Sequence, residues 1–152
     1  MNMNMKMKTV TVLFALLLGA APAWAVLGQP ASSVQSDHEY FRGTLAQSPR
    51  QGYQLHQIGA PDGTVIREYV SPEGTVFGVS WQGPVMPNLS QLLGSYFGDF
   101  QQASQSPHGR RAPLAVRTDR VVIESGGRMR AFHGRAYVPS LLPNNLTQAV
   151  VQ

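Results

Sequence analysis

Two short turns, eleven residues apart, constrain this chain more than any other feature. Ala60-Pro61-Asp62-Gly63 and Ser71-Pro72-Glu73-Gly74 share one chemistry. Proline presets φ at the second position, an acidic residue follows, and glycine takes the left-handed conformation that closes a three-residue hairpin loop with a bulge. Thr-Val and an apolar residue come after each glycine. The pattern predicts three antiparallel strands, with Ala60 opposite Thr64 and Ser71 opposite Thr75. The echo is too short to be a solenoid repeat.

Carried on without interruption, that register sets Tyr69 opposite Phe77 and Val65 opposite Trp81, both favourable cross-strand pairs. One face then collects Tyr53, Leu55, Val65, Tyr69, Phe77, Val79 and Trp81, and is the expected core. Arg67 interrupts it and must snorkel or meet a carboxylate. The opposite face carries His56, Ile58, Ile66, Glu68, Val70, Val76 and Ser80, with His56 across from Glu68.

Trp81-Gln82-Gly83-Pro84 ends the third strand. Asn88 then caps a helix over 88–100, with Gln91 three residues on as in a capping box. Leu89, Leu92, Leu93, Tyr96, Phe97 and Phe100 form a single apolar stripe. Gly94 and Gly98 cost that helix about 1 kcal/mol each relative to Ala. Close approach to the sheet would explain them.

The N-terminus reads as a leader. Lys6 and Lys8 form a positive region, residues 10–21 are mostly apolar, and Ala23-Trp24-Ala25 supplies the small residues that a signal peptidase recognises. The pattern predicts a signal peptide over 1–25, cut between Ala25 and Val26. The apolar run falls well short of the ~20 residues of a spanning helix. Initiation at Met1, Met3, Met5 or Met7 is compatible with the pattern. The remaining chain, 26–152, suits one secreted domain with a core over about 53–139.

The chain has no cysteine, so it forms no disulfide, and a lipid-modified N-terminal Cys is excluded. A Cys-free exported chain fits a bacterial periplasm or medium better than a small eukaryotic secreted domain. The formal net charge is +4, and Lys6 and Lys8 carry two of those charges, so a cleaved chain holds +2 with arginine as its only strong base. That balance does not argue for nucleic acid.

The remaining segments are plainer. Residues 26–36 read as an irregular arm, and 33–45 as a short helix. Within it, Asp37-His38-Glu39 points in diverging directions, cannot converge on one ion, and reads as a solvated face. Residues 47–52 form a polar turn. Residues 101–113, with His108, Gly109, Arg110 and Arg111, form a polar loop. Short strands are expected at 114–116 and 121–123. Gly126-Gly127 is a turn signal, pairing Ser125 with Arg128 and Ile123 with Arg130. A last strand runs over 128–138, and 140–152 packs as an irregular strap.

Two groups of residues could carry function. His56 with Glu68 could serve as a general base pair. Arg128, Arg130 and Phe132 interleave charge and a ring on one strand face, a pattern suited to an anionic glycan, a lipid headgroup or an envelope protein. No nucleophile elbow, phosphate-binding glycine loop or His-Glu-x-x-His is present. The sequence points to no cofactor and no metal site, and to no transmembrane span after cleavage.

Leu27-Gly28, PDGTVIREYVSPEGTVFGVSWQGPVMPNLSQLLGSYF and ESGGRMRAFHGRAYVPSLLP together resemble DUF2844, a family of exported proteobacterial proteins of unknown function. The resemblance covers nearly all of 26–152. It implies a secreted single domain and brings no activity, cofactor or catalytic residue with it. The expected fold is α+β: an antiparallel sheet of five or six strands packed by the helix 88–100. The alternative is a small β-barrel or half-barrel with the helix at one end. The expected function is a non-catalytic binding or structural module of the periplasm or envelope. The alternative is a small secreted hydrolase or isomerase using His and carboxylate groups.

Overall fold

A computed structural model describes residues 26–105 and 113–152. The leader with Ala25, and His108, Gly109, Arg110 and Arg111 of the polar loop, lie outside them. The fold is α+β, built on one open antiparallel sheet of seven strands. The strands are β1 (Thr44–Arg50), β2 (Tyr53–Gly59), β3 (Val65–Val70), β4 (Val76–Gly83), β5 (Leu114–Arg117), β6 (Val122–Arg128) and β7 (Ala131–Tyr137), in the spatial order β1-β2-β3-β4-β7-β6-β5. The strand beyond the expected five or six is β1. Its polar residues sit on a sheet edge, where little burial is needed for pairing, so the sequence there resembles a turn.

Both proline-glycine turns form as their chemistry requires. Ala60 N–H donates to the Thr64 carbonyl, Ser71 N–H to that of Thr75, and Gly63 and Gly74 take φ of 87° and 83°. His56 lies directly opposite Glu68. Between β3 and β4, however, the register shifts: Val70 pairs with Val76 and Tyr69 with Gly78, leaving Phe77 as an extra, bulged residue. One inserted residue reverses the facing of everything beyond it. Trp81 therefore lies opposite Ile66 rather than Val65, and Val79 opposite Glu68.

Two cores result. On one sheet face Ile58, Ile66, Val70, Val76, Val79, Trp81, Ile123 and Ala136 pack with Val34, Leu92 and Leu93 of the helical layer. That layer comprises α1 (Ser33–Phe41), α2 (Leu89–Leu93), a 3₁₀ turn at Gly94–Tyr96 and α3 (Phe97–Gln105). Asn88 caps α2 by accepting from the Ser90 and Gln91 amides. Gly94 breaks the helix at φ 51°, and Gly98 faces open space, so Gly98 does not serve close packing on the sheet. On the other face Tyr69, Phe77, Val122 and Tyr137 meet the strap, through Val151, Leu142 and Leu146. Tyr69 Oη donates to the Gln152 carbonyl at 2.6 Å, and Tyr137 hydrogen-bonds Gln148.

Residues 26–31 are not a loose arm. Val26 and Leu27 are buried, Gly28 N–H donates to the Val76 carbonyl, and Ala31 N–H to that of Gly74. The β6–β7 hairpin also turns later than the glycine pair suggests. Arg128 pairs with Ala131, and the loop is Met129-Arg130 with Arg130 at φ 66°. The glycine-pair register would set Arg130 against buried Ile123. The observed one sets Ala136 there, so burial overrides turn propensity.

Gly134 lies beneath the Trp81 indole, which a side chain on β7 would overlap. Gly134→Ala is expected to lower stability by about 1–3 kcal/mol through overpacking. Urea denaturation of the variant and the parent measures this.

Candidate functional site

The strap covers only part of its sheet face. Beyond it, adjacent strands bring Arg67 (β3), Ser80 (β4), Arg135 (β7), Glu124 (β6) and Ala115 (β5) into one row across the sheet. The next row holds Val65, Gln82, His133 and Gly126. These residues, with Pro113, Leu114, Arg117 and Gln152, line an open cleft of about 650 Å³, within the range of small-molecule sites.

Glycine and small residues make the hollow. A Cβ on Gly126 would lie 3.4 Å from His133 Nε2 and 3.5 Å from Pro113 Cβ, so the bare backbone of β6 forms floor. Ser80, between Arg67 and Arg135, is buried and hydrogen-bonds Tyr69 and the Gln152 carbonyl.

The charges are unevenly satisfied. Glu124 accepts from Arg117 Nη2 at 2.8 Å and from Arg135 Nε and Nη2 at 2.8 Å each. Hydrogen bonds from Arg117, then Arg135, hold its carboxyl below the ordinary range. Arg135 Nη1 also donates to the Val151 carbonyl, which ties the strap to the cleft wall. Arg67 is half-buried, and no acidic side chain or hydrogen-bond acceptor pairs with it among the described residues. With arginines two strands apart, about 10 Å at sheet spacing, Arg67 is left out of the Glu124 cluster.

The late arginine-aromatic stretch is divided. Arg130 and Phe132 line a second, shallower hollow of about 490 Å³ with Pro84 and Ala131, and Gln82 and His133 border both hollows. Arg128 is exposed near the hairpin tip and is not part of either wall.

The other sequence candidates lie under the helices. His56 and Glu68 are 5% and 0% exposed, sealed from solvent. Asp37, expected on a solvated helix face, is also 0% exposed. Gln91 does not close a capping box; its Nε2 donates to Asp37 Oδ1 at 2.6 Å. Asp37 Oδ2 and both Glu68 oxygens have no hydrogen-bond partner among the described residues. The two carboxyls repel when both are charged, which favours a protonated Glu68 beside Asp37. Burial first, and then the neighbouring Asp37 charge, pushes Glu68 from 4.5 up to about 9. Burial raises Asp37 from 3.8 to about 6, against the hydrogen bond from Gln91 that lowers it. Burial also lowers the His56 pKa, which favours the neutral imidazole. No three His, Asp or Glu residues are grouped to hold a metal among the described residues.

Asp37 was legible in principle: Val34, Asp37 and Phe41 recur at i, i+3 and i+7, the spacing of one helix face. The cleft was not, because the Phe77 bulge decides which residues enter it.

An open antiparallel sheet, helical on one face and half-strapped on the other, defines a small α+β domain with one exposed, cationic sheet face. Its family is DUF2844, described as proteins of unknown function: the family model matches residues 23–151, and the chain belongs to it. No curated protein and no solved structure matches it significantly. No helix among the described residues is long and apolar enough to cross a membrane.

The carboxyl pair has a pH consequence. Both pKa values are raised on folding, so the folded state binds more protons and stability falls as pH rises. The loss runs from the ordinary 4.5 of Glu68 to about 9. Glu68→Gln, which keeps the hydrogen-bonding shape without the proton, is expected to flatten that decline. Urea midpoints of parent and variant measured across this pH range check it.

Proposed function

We propose that the protein is a non-catalytic, exported binding module of the bacterial envelope, and that the cleft on the open half of its sheet takes an anionic ligand. Arg67 carries the reading. A half-buried guanidinium with no counterion among the described residues sits inside a concave site, where an oxyanion from outside would complete its hydrogen bonding. Three guanidiniums face the cleft against one acidic side chain, Glu124, so the local field attracts anions although the chain as a whole is only weakly cationic.

The leader pattern over 1–25 supports export to the periplasm or medium. An envelope protein, an anionic glycan and a lipid headgroup all present suitable anions. Arg130 and Phe132 adjoin the cleft through Gln82 and His133, and would extend contacts outward. The hydrolase or isomerase reading needs His56 and Glu68 to reach a substrate, and their burial counts against it.

Benzoate titration followed by amide NMR tests the proposal. Saturating shifts are expected around Arg67, Gln82, Ala115 and His133, and Arg67→Gln should weaken binding at least about tenfold, the loss of one charge-assisted hydrogen-bonded pair. Shifts of the same size and affinity in Arg67→Gln would contradict it.

A further inference from the structure

We infer that the ligand of this cleft is a single-chain amphiphile with a monoanionic carboxylate head, an inference that rests on the anion-binding reading above. The head end is set by charge. Glu124 already binds Arg117 and Arg135, and Arg67 is the cleft guanidinium left without a partner among the described residues. One unpaired guanidinium balances one negative charge; a dianion would carry excess charge into a half-buried site. The planar fork of arginine matches the two oxygens of a carboxylate. Gln82 and His133 stand in the neighbouring row and can donate to the same head.

The body end is set by the rest of the lining. Pro113 and Ala115 form an apolar wall on the β5 side, and Gly126 leaves bare strand backbone beneath it. Such a trough suits methylene groups. A glycan needs many side-chain donors and acceptors with an exposed ring on which a sugar face can stack. Here Trp81 is only 1% exposed, and Ser125 is buried. An apolar tail running from Arg67 toward β5 crosses the sheet over the Arg135–Glu124 pair, whose charges are already satisfied.

Isothermal titration of the purified protein separates head from body, using octanoate, acetate, octyl glucoside and inorganic phosphate below micellar concentrations. Each methylene buried contributes about fourfold in affinity. Octanoate is expected to bind at least about tenfold tighter than acetate, which lacks the tail, and than octyl glucoside, which lacks the charge. Arg67→Gln should bring octanoate down to the level of octyl glucoside. Ala115→Trp, a change at an exposed strand position, should weaken octanoate and leave acetate unaltered. Equal affinity for acetate and octanoate, both lost in Arg67→Gln, would overturn the amphiphile and leave the anion site standing. Phosphate binding tighter than octanoate would overturn the monoanionic head. Equal binding of octyl glucoside and octanoate, unaffected by Arg67→Gln, would overturn both readings, as would no binding of any probe.

Discussion

The extra residue at Phe77 is the constraint on which the two-faced architecture depends. It leaves Val76 toward the helices, turns Phe77 and Gly78 toward the strap, and returns Val79 and Trp81 to the helical side. Without it, Val79 and Trp81 would stand beside Arg67 and fill the cleft, and Ser80 would face the helices. Burying each large apolar side chain contributes about 1.5–3 kcal/mol, so the bulged register is favoured by the core it builds. The glycine after the bulge suits this packing: a side chain at 78 would meet Val151 Cγ2 at 2.7 Å. The bulge, the strap and the open half of the sheet are thus parts of one arrangement.

The helical layer is held by a different device. Asp37 from α1, Glu68 from β3 and Gln91 from α2 meet in the buried interior, joined by one short amide hydrogen bond and by the coupled titration of the two carboxyls. Removing one partner from such a cluster leaves a buried polar group unsatisfied, which costs more than the bond itself contributes. The geometry gives these residues a structural part: they fix where both helices sit over the sheet. The opposite face keeps its charged groups at the surface, where they can meet a ligand. The fold therefore separates its buried titrating groups from its accessible cationic ones by the thickness of one sheet.

Much of the scaffold was legible in the sequence because its signals are local. The Pro-Asp-Gly and Pro-Glu-Gly turns, the Asn88 cap, the Leu89–Leu93 stripe and the His56–Glu68 pairing each follow from residues a few positions apart. Three features were not legible, for one shared reason. The Phe77 bulge, the late β6–β7 turn and the burial of Val26 and Leu27 are decided by which register fills a distant core. Local turn chemistry gave the wrong loop at Gly126-Gly127 because it does not register that Ile123 needs Ala136 beside it. The cleft depends on that same long-range pairing. Arg67 stood out in the sequence as a charge on an apolar face, but the row it shares with Ser80, Arg135 and Glu124 exists only once β7 joins β4.

The most direct test of this account is the register across β3 and β4, read from cross-strand proton NOEs. Contacts pairing Ile66 with Trp81, Glu68 with Val79 and Tyr69 with Gly78 are predicted. Contacts pairing Val65 with Trp81 and Tyr69 with Phe77 would mean that no bulge exists, that the indole lies beside Arg67, and that the cleft is closed.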